Sequence, residues 1–252
     1  MRILATYSIK GGVAKTATAV NLAHLAAQSG ERTLLWDLDP QGAASFYLRV
    51  KPRVKGGVER VLDERRKLWR RARESDFEGL DLLPADFSYR HMDLALDASP
   101  RPRKRLARLL APLGRRYDWI VLDCPPSISL VSESVFRAAD IILSPLIPTP
   151  LSLRAHAQLR AHLREIKKPP RLLPFFALVD RRKSLHRRVV SEAFSNDPKF
   201  LKSAIPYSSQ VEEMSARRAP LTAFAPHSRP ALAYAALWGE LHDRISEASG
   251  LE

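Results

Sequence analysis

Apolar residues along this chain fall into short unbroken runs separated by longer, spaced patterns. Ile3, Leu4, Ala5, Tyr7 and Ile9 make the first run, without helical spacing, as expected of a buried strand. Beyond a glycine turn, Val20, Leu22, Ala23 and Leu25 stand among good helix formers, and Gly30 supplies a natural helix end. Further strands are predicted over Arg32–Asp37, Leu80–Pro84, Trp119–Leu122, Ile141–Pro148, Leu173–Val179 and, briefly, Ser203–Pro206. Between them the spacing predicts a weak helix over Tyr89–Leu96 and a better one over Arg101–Leu113, with Leu106, Leu109, Leu110 and Leu113 on one face. Helices are also expected over Leu151–Ile166, Val189–Phe194 and Leu232–Ile245, the last with a stripe of Leu237, Leu241 and Ile245 that packs on a sheet. From Arg49 to Glu78, Val58, Val61, Leu62, Leu68 and Trp69 interleave with many basic residues, Arg65 and Arg66 among them, which predicts one or two surface helices. Strands alternating with helices along the whole chain argue an α/β fold, a doubly wound, mostly parallel sheet with helices on both faces. No repeat or low-complexity linker interrupts it, so a single domain over residues 1–252 is expected.

Composition changes that picture in one respect. An apolar content of 45% is ordinary for a globular domain. A net charge of +14 is not, and it implies attraction to polyanions, nucleic acid first and an anionic membrane surface second. The alternative is an arginine-rich proteome bias that leaves the charges simply solvated. The single cysteine, Cys124, excludes a disulfide framework within the chain and fits a reducing cytosol. No apolar run approaches the roughly 18 residues of a membrane span, and the chain runs at once into a strand. Neither a membrane span, a signal peptide nor an added N-terminal DNA-binding module is therefore expected.

Three stretches carry chemistry. Lys10-Gly11-Gly12-Val13-Ala14-Lys15-Thr16 lies between a strand and a helix start, where backbone N–H groups and the helix dipole favour a phosphate. Lys15 can reach β/γ-phosphates and the Thr16 hydroxyl can ligate Mg²⁺. The general Gly-x4-Gly-Lys-Thr pattern fails when read strictly, because Ile9 and Ala14 occupy its glycine positions, and a turn without a ligand is the alternative. Asp37 and Asp39 follow the second strand two residues apart, so both can face one site. Beside a phosphate loop one can orient the Mg²⁺ shell and the other a nucleophilic water; otherwise they are an acidic turn with Pro40 and Gly42. Asp123 ends the strand in DWIVLDCPP, a Mg²⁺-holding position in phosphoryl transfer. Cys124 reads as a small side chain beside that strand, since nothing nearby supplies a base.

In order, KGGVAKTATAVNLA, LLWDLDPQGAAS and WIVLDCPPS resemble the ParA/MinD family of deviant-Walker P-loop ATPases, the ParA branch in particular. The resemblance continues through LVDRRKSLHRRV and IPYSSQVEEMSARRAPLTAFAP, nearly the full length. It implies a P-loop NTPase fold, ATP and Mg²⁺ as cofactors, and slow, partner-stimulated hydrolysis of ATP to ADP and phosphate. It also implies an ATP-bound homodimer that binds double-stranded DNA non-specifically and a ParB-like or cargo-adaptor partner. Its setting would be cytoplasmic and nucleoid-associated, in partition of plasmids or chromosomes or positioning of cargo. Carried over by position, Gly11, Gly12, Val13, Ala14, Lys15, Thr16 and Ala17 would bind phosphates, and Pro206 would begin the loop at the adenine. Thr16, Asp37 and Asp123 would serve Mg²⁺, Lys15 and Asp39 would act in catalysis, and Lys10 would reach across the dimer like an arginine finger.

Two residues depart from the family pattern. Ala14 replaces a glycine, at a cost of about 1 kcal/mol if a positive φ is needed there. Ala17 replaces a hydroxyl residue, so binding with slow turnover is expected. The basic runs Arg181, Arg182, Lys183, Arg187, Arg188 and Arg217, Arg218 are candidate DNA contacts, or else solvated surface. A MinD-like membrane ATPase would call for a basic amphipathic tail, whereas this chain ends EASGLE. A regulatory switch with little hydrolysis is a further alternative, supported by Ala14 and Ala17. Reductase relatives holding an iron–sulfur cluster between subunits are excluded for want of cysteines.

Overall fold

The computed structural model describes residues 1–63 and 67–249, with side chains to residue 246. Arg65, Arg66 and the side chains of the EASGLE tail lie outside the described residues. The strands are β1 (Arg2–Thr6), β2 (Thr33–Asp37), β3 (Arg73–Glu74), β4 (Leu80–Leu83), β5 (Trp119–Asp123), β6 (Ile141–Leu146), β7 (Arg171–Val179) and β8 (Ala204–Pro206). Among the described residues they form one sheet in the order β3-β4-β2-β5-β1-β6-β7-β8, parallel except for the two-residue edge strand β3. The order reverses on either side of β1, and the loop leaving its carboxyl end opens into the crevice typical of ligand sites in doubly wound sheets.

The helices are α1 (Lys15–Gln28), α2 (Ala43–Tyr47), α3 (Gly57–Leu62), α4 (Met92–Asp97), α5 (Arg105–Leu110), α6 (Leu130–Ala138), α7 (Pro150–Arg164), α8 (Ser184–Asn196), α9 (Ser209–Arg217), α10 (Leu221–Phe224) and α11 (Arg229–Ser249). Strand residues alternate between two cores. Leu34, Trp36, Ile120 and Leu122 face one layer with Val58, Met92, Leu106, Leu110, Val135 and Leu159 of α3 to α7. Leu4, Leu35, Val121 and Phe175 face the other, with Val20, Leu22 and Ala23 of α1 and Tyr234, Leu237 and Leu241 of α11. Burial on both faces is why these strands read as unbroken apolar runs.

The layered α/β prediction holds, with local corrections. The stretch Arg101–Leu113 is not one helix: α5 is a short α-helix flanked by 3-10 turns that contain Pro102 and Pro112, where proline cannot continue an α-helix. Among the described residues of the basic stretch only α3 and a 3-10 turn at Leu68–Arg71 are helical, and Arg73–Glu74 pairs with the sheet edge. Helices α2, α6, α9 and α10 were not predicted. Helix α6 is opened by a capping box between Ser129 and Ser132, and α9 by Ser208, whose side chain accepts from the Gln210 N–H. Among the described residues no helix is long and apolar enough to cross a membrane.

Candidate nucleotide-binding site

The turn after β1 is built from two left-handed residues, Gly12 at φ 68° and Ala14 at φ 67°. Val13 between them is buried and pins the loop to the protein. This alternation turns successive backbone N–H groups inward, as in an anion-binding nest. Ala14 is the N-cap of α1, no side chain caps that helix end, and its first turn carries no acidic residue. The first-turn donors and the positive end of the helix dipole thus face outward together. A Cβ built on Gly11 or Gly12 would meet nothing within 4 Å, so open space lies over the loop. The positive φ at position 14, conditional in the sequence, is present, and alanine bears it at a cost of about 1 kcal/mol.

Lys15 opens α1 and is 7% exposed, with its Nζ 3.4 Å from the carbonyl oxygen of Lys10. Burial lowers its pKa, and the charges of Asp123 and Asp39 oppose that. Thr6, Asp37 and Asp123 stand in register at the carboxyl ends of adjacent strands β1, β2 and β5, with β5 in the middle. Parallel neighbours lie about 4.8 Å apart, so two fully buried carboxylates adjoin.

Asp37 accepts from the Ser45 N–H at 2.8 Å and the Ser45 hydroxyl at 2.7 Å, both on Oδ2, while Oδ1 lies 3.3 Å from the Asp39 N–H. Burial still pushes its carboxyl up to about 6, against those hydrogen bonds. Asp123 is pushed well up, first by burial and then by the charge of Asp37, while Thr16 favours its ionised form. Its Oδ1 is 3.5 Å from the Thr6 hydroxyl, and its Oδ2 has no hydrogen-bond partner among the described residues. A buried, orphaned carboxylate oxygen beside a second carboxylate fits a hard divalent cation. Among the described residues no three His, Cys, Asp or Glu side chains converge. Two carboxylates and the Thr16 hydroxyl match the way Mg²⁺ is held, with waters and phosphate oxygens completing its shell.

Asp39 is half-buried at the rim, close enough for its charge to act on Lys15 and Asp123, and its Oδ1 accepts from the Gln41 N–H at 2.9 Å. Lys10 is half-buried, and its ammonium has no partner among the described residues. Ala17 packs into the α1 core and carries no polar atom toward the loop. Pro206 ends β8, and Tyr207 after it donates its N–H to the Val179 carbonyl at 3.0 Å, tying that loop to the end of β7.

The basic runs are not uniform. Arg182 is doubly bonded to Asp180, Arg187 donates to the carbonyls of Arg181 and Arg182, and Arg218 lies over the Phe46 ring. Arg181, Lys183, Arg188 and Arg217 remain exposed on the surface. Sequence reasoning missed Ser45, which bonds Asp37 and accepts the Ala85 N–H at 2.9 Å, and Thr6 beside Asp123. Strand register brings Thr6 to Asp123, whereas Ser45 closes the stretch LLWDLDPQGAAS and is folded back on Asp37 by the turn at Gly42 that opens α2.

Residues 1–172 match a protein-family profile described as an AAA domain. The sporulation initiation inhibitor protein Soj of Bacillus subtilis is 30% identical over 241 residues, 92% of this chain and 95% of its own. The chromosome partitioning protein ParA of Myxococcus xanthus is 30% identical over 98% of this chain and 90% of its own. The chain belongs to the ParA/MinD family of P-loop ATPases. Among solved structures, a Mycobacterium smegmatis protein named cobyrinic acid a,c-diamide synthase, with bound ATP analog and magnesium, aligns with a TM-score of 0.75 and 29% identity. That alignment covers 86% of this chain and 91% of that one. The ParA/MinD assignment and the sheet order agree: the loop, both buried carboxylates and Lys15 meet at the switch point of the sheet.

Proposed function

We propose that this protein is a ParA-type ATPase that binds ATP and Mg²⁺, dimerises around nucleotide and uses non-specific DNA binding to partition DNA or position cargo. One observation carries the nucleotide reading: the buried, unpartnered Oδ2 of Asp123, in register beside Asp37 and next to an uncapped helix N-terminus. ATP supplies the phosphoryl group, and Mg²⁺ spreads the charge of its oxygens. The N–H groups of residues 11 to 17 bind phosphate, and Lys15 adds a buried positive charge. Thr16 and Asp123 hold the cation, with Asp37 fixed behind them by Ser45. Asp39 orients the attacking water. Catalysis in this arrangement is positioning and electrostatics. Pro206 lines the base, and the chain acts as one domain.

Dimer formation through this edge is supported by Phe46, Phe87, Ile128, Leu151 and Tyr207, exposed apolar side chains that follow the carboxyl ends of β2, β4, β5, β6 and β8. Solvent-facing apolar side chains gathered at one edge mark a surface that another protein covers. The free ammonium of Lys10 would serve the partner's phosphates across it. The DNA surface would include Arg181, Lys183, Arg188 and Arg217, and a ParB-like protein or cargo adaptor would stimulate turnover in a cytoplasmic, nucleoid-associated cycle. The left-handed Ala14 favours a second reading, a nucleotide switch with little hydrolysis, and measured turnover separates the two.

The test is binding of random-sequence duplex DNA with ATP, ADP and no nucleotide across a salt series. A steep rise in affinity with ATP that weakens with salt supports the proposal. Equal affinity in all three states would remove the nucleotide switch, and binding in none would remove DNA as the partner.

A further inference from the structure

The sheet has a second edge, where strands begin. There the chain carries a concentration of cations that the nucleotide site does not use. Helix α5 is flanked by two open hollows that share Arg108. One, of about 510 Å³, is lined by Lys104, Arg108, Arg137, Lys167 and Lys168 with Ala107, Ala111 and Ile166. Among the described residues no carboxylate lines it. The other, of about 670 Å³, is lined by Arg32, Lys67, Arg108, Arg115 and Arg116, and Asp81, the carboxylate that lines it among the described residues, accepts from the Tyr117 hydroxyl at 2.6 Å.

Topology gathers these residues. Arg32 precedes β2, Arg115 and Arg116 precede β5, and Lys167 and Lys168 lie in the turn before β7, while Arg137 ends α6. All therefore stand at the amino edge of the parallel strands, opposite the phosphate loop. Lys104, Arg137, Lys167 and Lys168 are exposed, and none forms an ion pair among the described residues. A cation at a helix C-terminus compensates the helix dipole, which accounts for Arg137. It does not account for Lys104, which precedes α5, or for the adjacent lysine pair.

The kind of ligand follows from what surrounds the charges. Among the described residues no exposed large apolar side chain lines either hollow to insert into a bilayer. Trp69, in the larger hollow, has Arg116 over its ring at 3.7 Å, so the arginine already occupies a face on which a base would stack. Arg32 of the larger hollow is paired with Asp118 at 2.8 Å. What remains is the row of exposed cations Lys104, Arg137, Lys167 and Lys168, with no base-reading group among the described residues. That suits a repeating phosphate backbone.

We propose that the two hollows flanking α5 form a second contact surface for the backbone of duplex DNA, one that does not depend on bound nucleotide. This rests on the DNA-binding reading above and adds a site to it. Because the surface lies at the far edge of the sheet from the nucleotide, its contribution is present in every nucleotide state. Nucleotide then adds affinity to an existing grip.

The test uses the full chain with Lys104→Gln, Arg137→Gln, Lys167→Gln and Lys168→Gln combined, and random-sequence duplex DNA with ATP, ADP and no nucleotide across a salt series. A second variant carries Arg188→Gln and Arg217→Gln. Expected for the first is a nucleotide-free affinity at least about tenfold lower and a salt slope reduced by about 3 to 4. Its thermal midpoint, its DNA-free ATP turnover and its fold-gain on adding ATP should match wild type. The second variant should show the reverse, a smaller fold-gain on ATP with the nucleotide-free slope intact. An unchanged nucleotide-free slope in the first variant overturns the inference. So does loss of binding to vesicles of anionic lipid without loss of DNA binding. Wild-type protein that binds DNA only with ATP overturns this inference and leaves the partition reading standing; binding in no state overturns both.

Discussion

At the carboxyl edge of the sheet, Lys15, Asp37 and Asp123 are withdrawn almost wholly from water, whereas at the amino edge Lys104, Arg137, Lys167 and Lys168 stand in it. The buried charges shift one another strongly, because little solvent screens them and each sits at a fixed place. The exposed ones lie where water and salt damp their fields, and they act by number. A site that positions a reacting phosphate needs the first arrangement. A surface that holds a polymer without reading its sequence needs only the second.

The sharpest way to break this contrast is Lys15→Ala. Removing one positioned, buried cation should lower ATP turnover by about 100- to 1,000-fold, measured by phosphate release at saturating Mg²⁺. A loss below tenfold would mean that the loop does not hold the reacting phosphate.

Next is acid stability, which probes buried groups away from both edges. His24, 2.7 Å from the Thr222 hydroxyl, and His156 are buried, and burial pushes each imidazole from 6.5 down to about 4. The unfolded chain takes up these protons near 6.5, so the histidines' contribution to folding stability should be full above that pH and fall as pH drops toward 4, while the raised carboxyls of Asp37 and Asp123 act in the opposite sense. The loss is on the order of 3 kcal/mol for each imidazole. Thermal melts of wild type and His24→Gln from pH 7 to pH 4 isolate it: the stability difference between them should shift toward the variant by on the order of 3 kcal/mol as pH falls.

Ser45→Ala should cost about 1 to 3 kcal/mol in denaturant unfolding, because it leaves the Ala85 N–H unpaired and Asp37 short of a donor. It should also raise the Mg²⁺ concentration needed for turnover, a readout that a purely structural serine would not move. Ala14→Gly should stabilise by roughly 0.5 to 1 kcal/mol, since glycine bears the left-handed backbone without strain. The smallest effect belongs to the amino edge: Lys167→Gln alone should change the salt slope of DNA binding by about 1 and leave turnover unchanged.

Much of the fold was legible because central strands buried on both faces must be continuously apolar, as Trp119–Asp123 and Ile141–Leu146 are. Helix α9 was not, since of its nine residues only Met214 is buried and no apolar stripe announces it. The residues between Arg101 and Leu113 carry a helical stripe, but Pro102 and Pro112 confine the α-helix to six residues. The phosphate loop was legible since it is contiguous: glycine, lysine and threonine between a strand and a helix. Thr6 was not, since its importance depends on which strand lies beside β1, and Ser45 was not, since the turn that folds α2 back on Asp37 carries no apolar pattern.

Local features follow from the order of residues alone: strand periods, helix caps, the turn at Gly12 and the chemical groups on offer. It took the assembled sheet to place β5 between β1 and β2, which sets Asp123 beside Asp37 and leaves Oδ2 unpartnered among the described residues. The same assembly decided that cations from four separate segments meet around α5. The physical reason is range. Backbone preference and burial pattern act over a few residues, whereas sheet order brings together groups more than 80 positions apart, and only contact lets their charges act on each other.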